Sequence, residues 1–124
     1  MTRILIAEDE EALCAMCARA LSSAGHEVKT ACDGADALDV LQREGGRFDL
    51  LLTDIRMPLM DGIALALAAA RDFPDLTILL MTGYADQRER AHGLDAIIHD
   101  VITKPFTLAA LRYAVDEALL VKAR

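Results

Sequence analysis

Runs of lysine or arginine are missing from this 124-residue chain, whose 13 basic side chains face 20 acidic ones for a formal net charge of −7. A surface for DNA or RNA needs clustered cations to displace counterions, so nucleic acid is not an expected partner. Long apolar runs are missing as well. The longest, Ile63–Ala70, is far short of the roughly 20 residues that cross a bilayer. The opening Met1-Thr2-Arg3-Ile4 lacks the apolar segment and cleavage site of a signal peptide. These absences lead to the expectation of a cytoplasmic protein with no membrane partner. Cysteine is scarce and odd in number, and Cys14, Cys17 and Cys32 do not describe a disulfide scaffold. The Cys14-x-x-Cys17 spacing is that of a redox or zinc half-site. It falls, however, inside an amphipathic helix pattern, whereas redox pairs sit at a helix N-terminus where the dipole lowers a thiol pKa. Zinc would need two further ligands, and no second CxxC or HxxxH supplies them. All three cysteines are therefore read as packing residues.

What is present is enough apolar material for a core: 54% of the residues are hydrophobic and 27% charged, which argues against disorder. The length fits one domain, and residues 1–124 are read as a single unit with no output domain. Short β-rich runs alternate with helical patterns. Arg3–Ala7 is a strand-length apolar run followed by the acidic cluster Glu8-Asp9-Glu10-Glu11. Glu11–Ala24 has helical spacing and ends at Gly25, a suitable residue just past a helix. Glu27–Ala31 predicts a strand, Asp33-Gly34 a turn, and Ala35–Arg43 a helix closed by Gly45-Gly46. Asp49–Thr53 is a further apolar run ending in Asp54, and a loop with Pro58 precedes a helix over Gly62–Asp72. Leu76–Met81 and Ala96–Ile102 predict the last two strands, separated by a short polar helix over Ala85–His92. Leu108–Lys122 predicts the final helix, with Leu108, Leu111, Val115 and Leu119 as its core stripe. Five strand–helix units whose strands read apolar on both faces predict a parallel α/β sheet with right-handed crossovers.

In such a sheet ligands bind outside the C-terminal ends of the strands. The first strand delivers Glu8 and Asp9 there, the third Asp54, the fourth Thr82, and the fifth Lys104 followed by Pro105. Clustered carboxylates repel and do not all stay ionised cheaply unless a cation joins them. Hard oxygen ligands with an incomplete shell suit Mg²⁺, which completes its coordination with water and phosphate oxygens. A carboxylate is a recognised nucleophile that forms an acyl phosphate. A hydroxyl and an ammonium can neutralise and hold the oxygens of a transferring phosphoryl group.

With these residues in order, the chain resembles the receiver domains of bacterial two-component response regulators over essentially its whole length. The resemblance rests on Glu8-Asp9, on LLLTDIRMPLMDG around Asp54, Pro58 and Gly62, on Thr82-Gly83, and on Lys104-Pro105-Phe106. Within that family, RILIAEDEEA, DGIALALA and LLMTGYADQRERAHGLDAIIHDVITKPF are most similar to CpdR-type single-domain regulators of alphaproteobacteria. The resemblance implies a flavodoxin-like (βα)5 doubly wound sandwich with strand order 2-1-3-4-5. It implies that Asp54 is the phosphoacceptor, that Asp9, Asp54 and the backbone carbonyl of Arg56 bind Mg²⁺, and that Glu8 acts directly or through water. Thr82 and Lys104 would hold the phosphoryl oxygens, and the Lys104–Pro105 bond would be cis. The donor would be phosphohistidine on a histidine kinase or phosphotransferase. As a monomeric CpdR-like adaptor the chain would control regulated proteolysis through the ClpX unfoldase and its peptidase, the phosphorylated form being the inactive one. It would be a signalling module rather than a conventional enzyme.

Two departures stand out. Val101 occupies the place three residues before the lysine where the family usually has Tyr or Phe, and Tyr84 follows Thr82 by two. Tyr84 is therefore expected to couple phosphorylation to the surface formed by the helix over 85–92, the fifth strand and the last helix. Glu8 also stands where many receivers have Asp. Other readings stay open. A haloacid-dehalogenase-like phosphatase also combines Asp, Mg²⁺, Thr and Lys, but it carries a second Asp where this chain has Arg56. A phosphorylation-independent interaction module on the same fold is the third. Asp61 reads as a helix N-cap, and Arg88, Glu89 and Arg90 as a solvated face. His26, His92 and His99 lie in separate segments and are not expected to bind a metal together.

Overall fold

A computed structural model describes residues 2–83 and 90–123. Strands β1 (Arg3–Ala7), β2 (Glu27–Ala31), β3 (Leu50–Asp54), β4 (Thr77–Thr82) and β5 (Asp100–Thr103) alternate with helices α1 (Glu11–Ser23), α2 (Gly34–Arg43) and α3 (Gly62–Asp72). A 3₁₀ turn (His92–Leu94) precedes β5, and α4 (Leu108–Ala123) closes the described chain. All neighbouring strands pair in parallel, in the order β2-β1-β3-β4-β5. The expected doubly wound α/β sandwich is therefore the observed one.

The period of two along a strand explains why the central runs are apolar throughout. Ile4 and Ile6 of β1, Leu50 and Leu52 of β3, and Leu79 and Met81 of β4 point to one face, where Cys14, Cys17 and Leu21 of α1 and Leu111, Val115 and Ala118 of α4 cover them. Leu5, Leu51, Ile78 and Leu80 point to the other face, beneath Ala37, Val40 and Leu41 of α2 and Leu65, Ala66 and Ala69 of α3. Each fully buried aliphatic side chain contributes about 1.5–3 kcal/mol relative to exposure. Two helices start on aspartate caps. Asp33 accepts from the Asp36 N–H at 2.7 Å, and Asp61 from the Ala64 N–H at 2.8 Å, each cap being worth about 1 kcal/mol. Asp61 is thus the N-cap that its position predicts.

The structure corrects three sequence expectations. The apolar run Ala96–Ile98 is a turn, and β5 begins only at Asp100. The N–H groups of Ile97 and Ile98 bond back to Leu94, and Ile98 plugs the α2/α3 side of the core; an apolar run signals burial before it signals a strand. On α4 the register of burial places Ala118 in the core, leaves Leu108 exposed and buries Leu119 only partly. Cys32 is exposed rather than packed, its thiol leaning on Asp33 and Asp36, whereas Cys14 and Cys17 are buried as expected. Arg90 is exposed, as expected, and its guanidinium bonds Asp61 at 2.9 Å. Tyr84 and most of the predicted helix over 85–92 lie outside the described residues.

Candidate functional site

Strand register brings the chemistry to one edge. Ala7 pairs with Thr53, Asp54 with Met81, and Thr82 with Thr103. Glu8, Asp54, Thr82 and Lys104 therefore leave four adjacent strands side by side, at the C-terminal rim where parallel sheets bind ligands. The β4–β5 pairing runs on past the strands, since the Lys104 N–H donates to the Thr82 carbonyl at 2.8 Å. The Lys104–Pro105 peptide bond is cis.

Lys104 is the electrostatic centre of the group. Its ammonium donates to Glu8 Oε1 at 2.8 Å and to Asp54 Oδ2 at 3.0 Å. The Glu8 side chain is 0% exposed and that of Asp54 11%, while Lys104 keeps 21% open to solvent. Burial pushes the Glu8 carboxyl up to about 7; the hydrogen bond from Lys104 opposes that rise, and the neighbouring Asp54 reinforces it. Burial alone would lower the Lys104 ammonium, but its bonds to Glu8 and Asp54 prevail and hold it above its ordinary value. One cation thus serves two carboxylates that would otherwise repel each other.

Asp9 adds a third carboxylate. Carboxylate oxygens of Glu8, Asp9 and Asp54 lie within 4.8 Å of one another, Asp9 from an exposed position and the other two from buried ones. Among the described residues, Glu8 Oε2 is buried with no hydrogen-bond partner. An all-oxygen donor set with one orphaned oxygen fits a hard divalent cation, which needs such ligands and tolerates an incomplete protein shell. A cleft of about 800 Å³ opens over the group, with Asp9, Asp54, Arg56 and Lys104 in its wall and Leu13, Met16 and Phe106 forming an apolar flank.

The structure therefore brings Glu8, Asp9, Asp54 and Lys104 together, sets Arg56 in the same cleft, and buries Thr82 one residue beyond the Asp54–Met81 pair. Val101 is half-buried and packs on the α2/α3 side of the core. His26 faces Asp116 at 3.8 Å and His99 faces Glu117 at 4.0 Å.

Gly62, which the sequence presented as a helix start and as part of the motif around Asp54, emerges as a positioning residue. A Cβ there would overlap the Asp54 carbonyl oxygen and lie 2.8 Å from its carbon and 2.9 Å from the Ile55 Cα. The Gly62 N–H also donates to the Ile55 carbonyl at 2.7 Å. The first turn of α3 is thus seated directly against the peptide that carries Asp54. A glycine eight residues after a strand-end aspartate was the available signal, but a close approach between backbones cannot be told from turn chemistry without coordinates.

Comparison with known proteins agrees with this geometry. The family profile described as "Response regulator receiver domain" matches residues 4–116. The chain is 40% identical to the response regulator receiver protein CpdR of Brucella abortus (strain 2308), over 97% of this chain and 98% of that one. It is 36% identical over 94% of its length to a part of the sensor kinase CckA of the same organism, spanning 12% of that larger protein. Among solved structures, the response regulator TrrA of Thermotoga maritima in complex with Mg²⁺-BeF superposes with a TM-score of 0.83 at 28% identity, covering 95% of this chain and 99% of that one. A match over nearly the whole core, together with acidic and basic side chains gathered at one sheet edge, makes this chain a member of the response regulator receiver domain family, a signalling module rather than a conventional enzyme.

Proposed function

We propose that this chain is a phosphoacceptor receiver in which Asp54 takes a phosphoryl group from phosphohistidine on a histidine kinase or phosphotransferase, and that the charge so gained switches its binding to other proteins. The observation that carries this reading is the Lys104 ammonium bridging Glu8 and Asp54 at 2.8 and 3.0 Å beneath an open cleft. Asp54 is the nucleophile: its carboxylate oxygen attacks phosphorus and the donor nitrogen leaves. Lys104 and the Thr82 hydroxyl hold phosphoryl oxygens and offset their charge. Asp9, Asp54, the Arg56 carbonyl and Glu8 would hold Mg²⁺. When bound, that ion supplies positive charge to the transferring group. Glu8, with a longer side chain than the aspartate common at its position, keeps a carboxylate within reach of the cluster.

The similarity to CpdR over almost the full length of both chains supports a finer reading. The protein acts as a cytoplasmic, monomeric single-domain regulator that primes the ClpX unfoldase and its peptidase in the unphosphorylated state, and phosphorylation withdraws it. The CckA relationship supports a histidine-kinase relay as the source of phosphoryl groups. Tyr84 couples phosphorylation to the surface of the helix expected over 85–92, β5 and α4.

The test is incubation with acetyl phosphate or beryllofluoride in the presence of Mg²⁺, comparing the wild type with Asp54→Asn by intact mass and by fluorine NMR. One adduct on the wild type and none on the variant is expected. Sustained release of inorganic phosphate from small phosphomonoesters would instead indicate a phosphatase, and no adduct a phosphorylation-independent module. Affinity capture with wild-type and Asp54→Ala baits tests the adaptor role, the ClpX unfoldase being expected with the variant.

A further inference from the structure

Between β3 and α3 the chain reverses over residues 55–61 and returns to the peptide it left, since Gly62 lies against the Asp54 carbonyl. Ile55 and Met57 bury their side chains on the α2/α3 side of the sheet. The exposed Arg56 between them lines the cleft over Asp54. Further on the reversal is sharp. The Met60 N–H donates to the Pro58 carbonyl at 2.7 Å, with Leu59 between them at φ 66°. That is a γ-turn of the strained hand, and Leu59 is the one non-glycine at positive φ among the described residues. Leu59 is 86% exposed, so no packing of its own side chain holds it there. The restraint has to come from around the loop.

It comes from α2. A Cβ on Gly34 would overlap the Met60 carbonyl oxygen and lie 2.9 Å from both the Met60 carbonyl carbon and the Met60 Cβ. The bare backbone of Gly34 is thus the surface on which Met60 rests. That surface is firmly set. Asp33 accepts from the Asp36 N–H at 2.7 Å, and Asp36 accepts from the Cys32 N–H at 3.2 Å, so the first turn of α2 is tied to the end of β2. The loop is therefore wedged between the first turns of two helices, with Gly34 at Met60 and Gly62 at Asp54. Backbone strain persists only where the surroundings over-determine it, and it gathers at functional sites.

We propose that Gly34 is a positioning residue for the phosphoryl site: by seating Met60 it holds the strained turn at Leu59 and so fixes Arg56 in the wall of the cleft beside Asp54. The inference rests on the phosphoacceptor reading above. A side chain at position 34 pushes the Met60 peptide outward. Because the loop is short and Gly62 stops its other end, the displacement passes to Arg56 and to the peptide after Asp54. Gly34 acts without touching any carboxylate of the cluster.

The test compares Gly34→Ala with Val40→Ala, a truncation deeper in the same helix that loosens the core and leaves the loop contact alone. Each full-length protein is kept well below its melting temperature. Mg²⁺ affinity is read by calorimetry without a phosphodonor, and labelling by acetyl phosphate is read by intact mass. Gly34→Ala should bind Mg²⁺ on the order of tenfold more weakly and label on the order of 10²-fold more slowly. Val40→Ala should match wild type in both. Should Gly34→Ala fail to fold, Leu59→Gly decides: glycine relieves the strain, so the melting temperature should hold or rise while labelling slows. Equal affinities and rates in Gly34→Ala and Val40→Ala, or wild-type labelling in Leu59→Gly, would overturn the proposal. A wild-type chain that neither binds Mg²⁺ nor labels would overturn the phosphoacceptor reading, and this inference with it.

Discussion

Substituting alanine for Gly62 tests how the fold aims its phosphoacceptor. Gly62 does not need a left-handed backbone; what it needs is space. The added methyl would collide with the carbonyl of Asp54 and crowd the Ile55 Cα, and these three nearest atoms all belong to backbone in β3 or in the turn after it. Overpacking a core with a methylene costs about 1–3 kcal/mol even when side chains can yield. With backbone as the obstacle, a loss of about 3 kcal/mol is expected, which lowers the melting temperature of a domain this size by roughly 10 °C. If α3 instead slides away by about 1 Å, Asp54 moves with respect to Lys104, and a misplacement of that order costs on the order of 10²-fold in rate. Thermal unfolding followed by circular dichroism reads the first effect, and acetyl phosphate labelling of the folded fraction reads the second. Gly93→Ala is the control, since nothing lies within 4 Å of its Cβ position, and it should change stability by less than about 0.5 kcal/mol. A Gly62→Ala protein that melts within about 2 °C of wild type and labels at the wild-type rate would refute the claim that this close contact sets the position of Asp54.

Lys104→Met leaves Glu8 and Asp54 facing each other without a cation, so in chelator the variant should be less stable by about 1–3 kcal/mol. That cost is limited by Lys104's partial exposure and by Glu8's readiness to take a proton, and added Mg²⁺ should recover part of it in thermal melts. The Ala64 N–H and Arg90 overcome the effect of burial and hold the Asp61 carboxyl below its usual range. Its contribution is therefore present above the unfolded-state pKa and fades as pH falls through the folded one. Asp61→Ala should cost about 1 kcal/mol at neutral pH and progressively less in acid, while Asp61→Asn keeps most of the cap; urea melts across pH would show it. Maleimide should label Cys32 in the native protein but reach Cys14 and Cys17 only after denaturation, since both are buried and burial pushes the Cys17 thiol up to about 11. Peptide mapping of the labelled chain would contradict the described packing if Cys17 reacted natively.

Much of the site was legible because a parallel sheet turns linear order into position. Any residue just past an apolar run lands on the same rim, so Glu8, Asp9, Asp54, Thr82 and Lys104 could be grouped from the one-dimensional text alone. The start of α3 was legible for a similar reason, since Asp61 caps within three residues of itself, whereas Asp33 read as a turn residue and proved to cap α2. What failed was reading the state of an individual side chain. Ala96–Ile98 looked like a strand because burial and extension leave the same apolar trace. Cys32 looked like packing because nothing local reveals that an edge strand ends in solvent beside two aspartates.

The amino-acid order by itself determined the alternation of elements, the two-faced burial of β1, β3 and β4 and the types of group at the sheet edge, because each follows from periodicities and caps that act within a few residues. Only the tertiary structure decided that one ammonium bonds both Glu8 and Asp54 and that Gly62 is pressed against the Asp54 peptide. Those are distances between residues far apart or turned back on one another, and they are set by how helices seat on the sheet. Local pattern carries no record of such distances, because many packings satisfy the same periodicity and only one satisfies all the contacts at once.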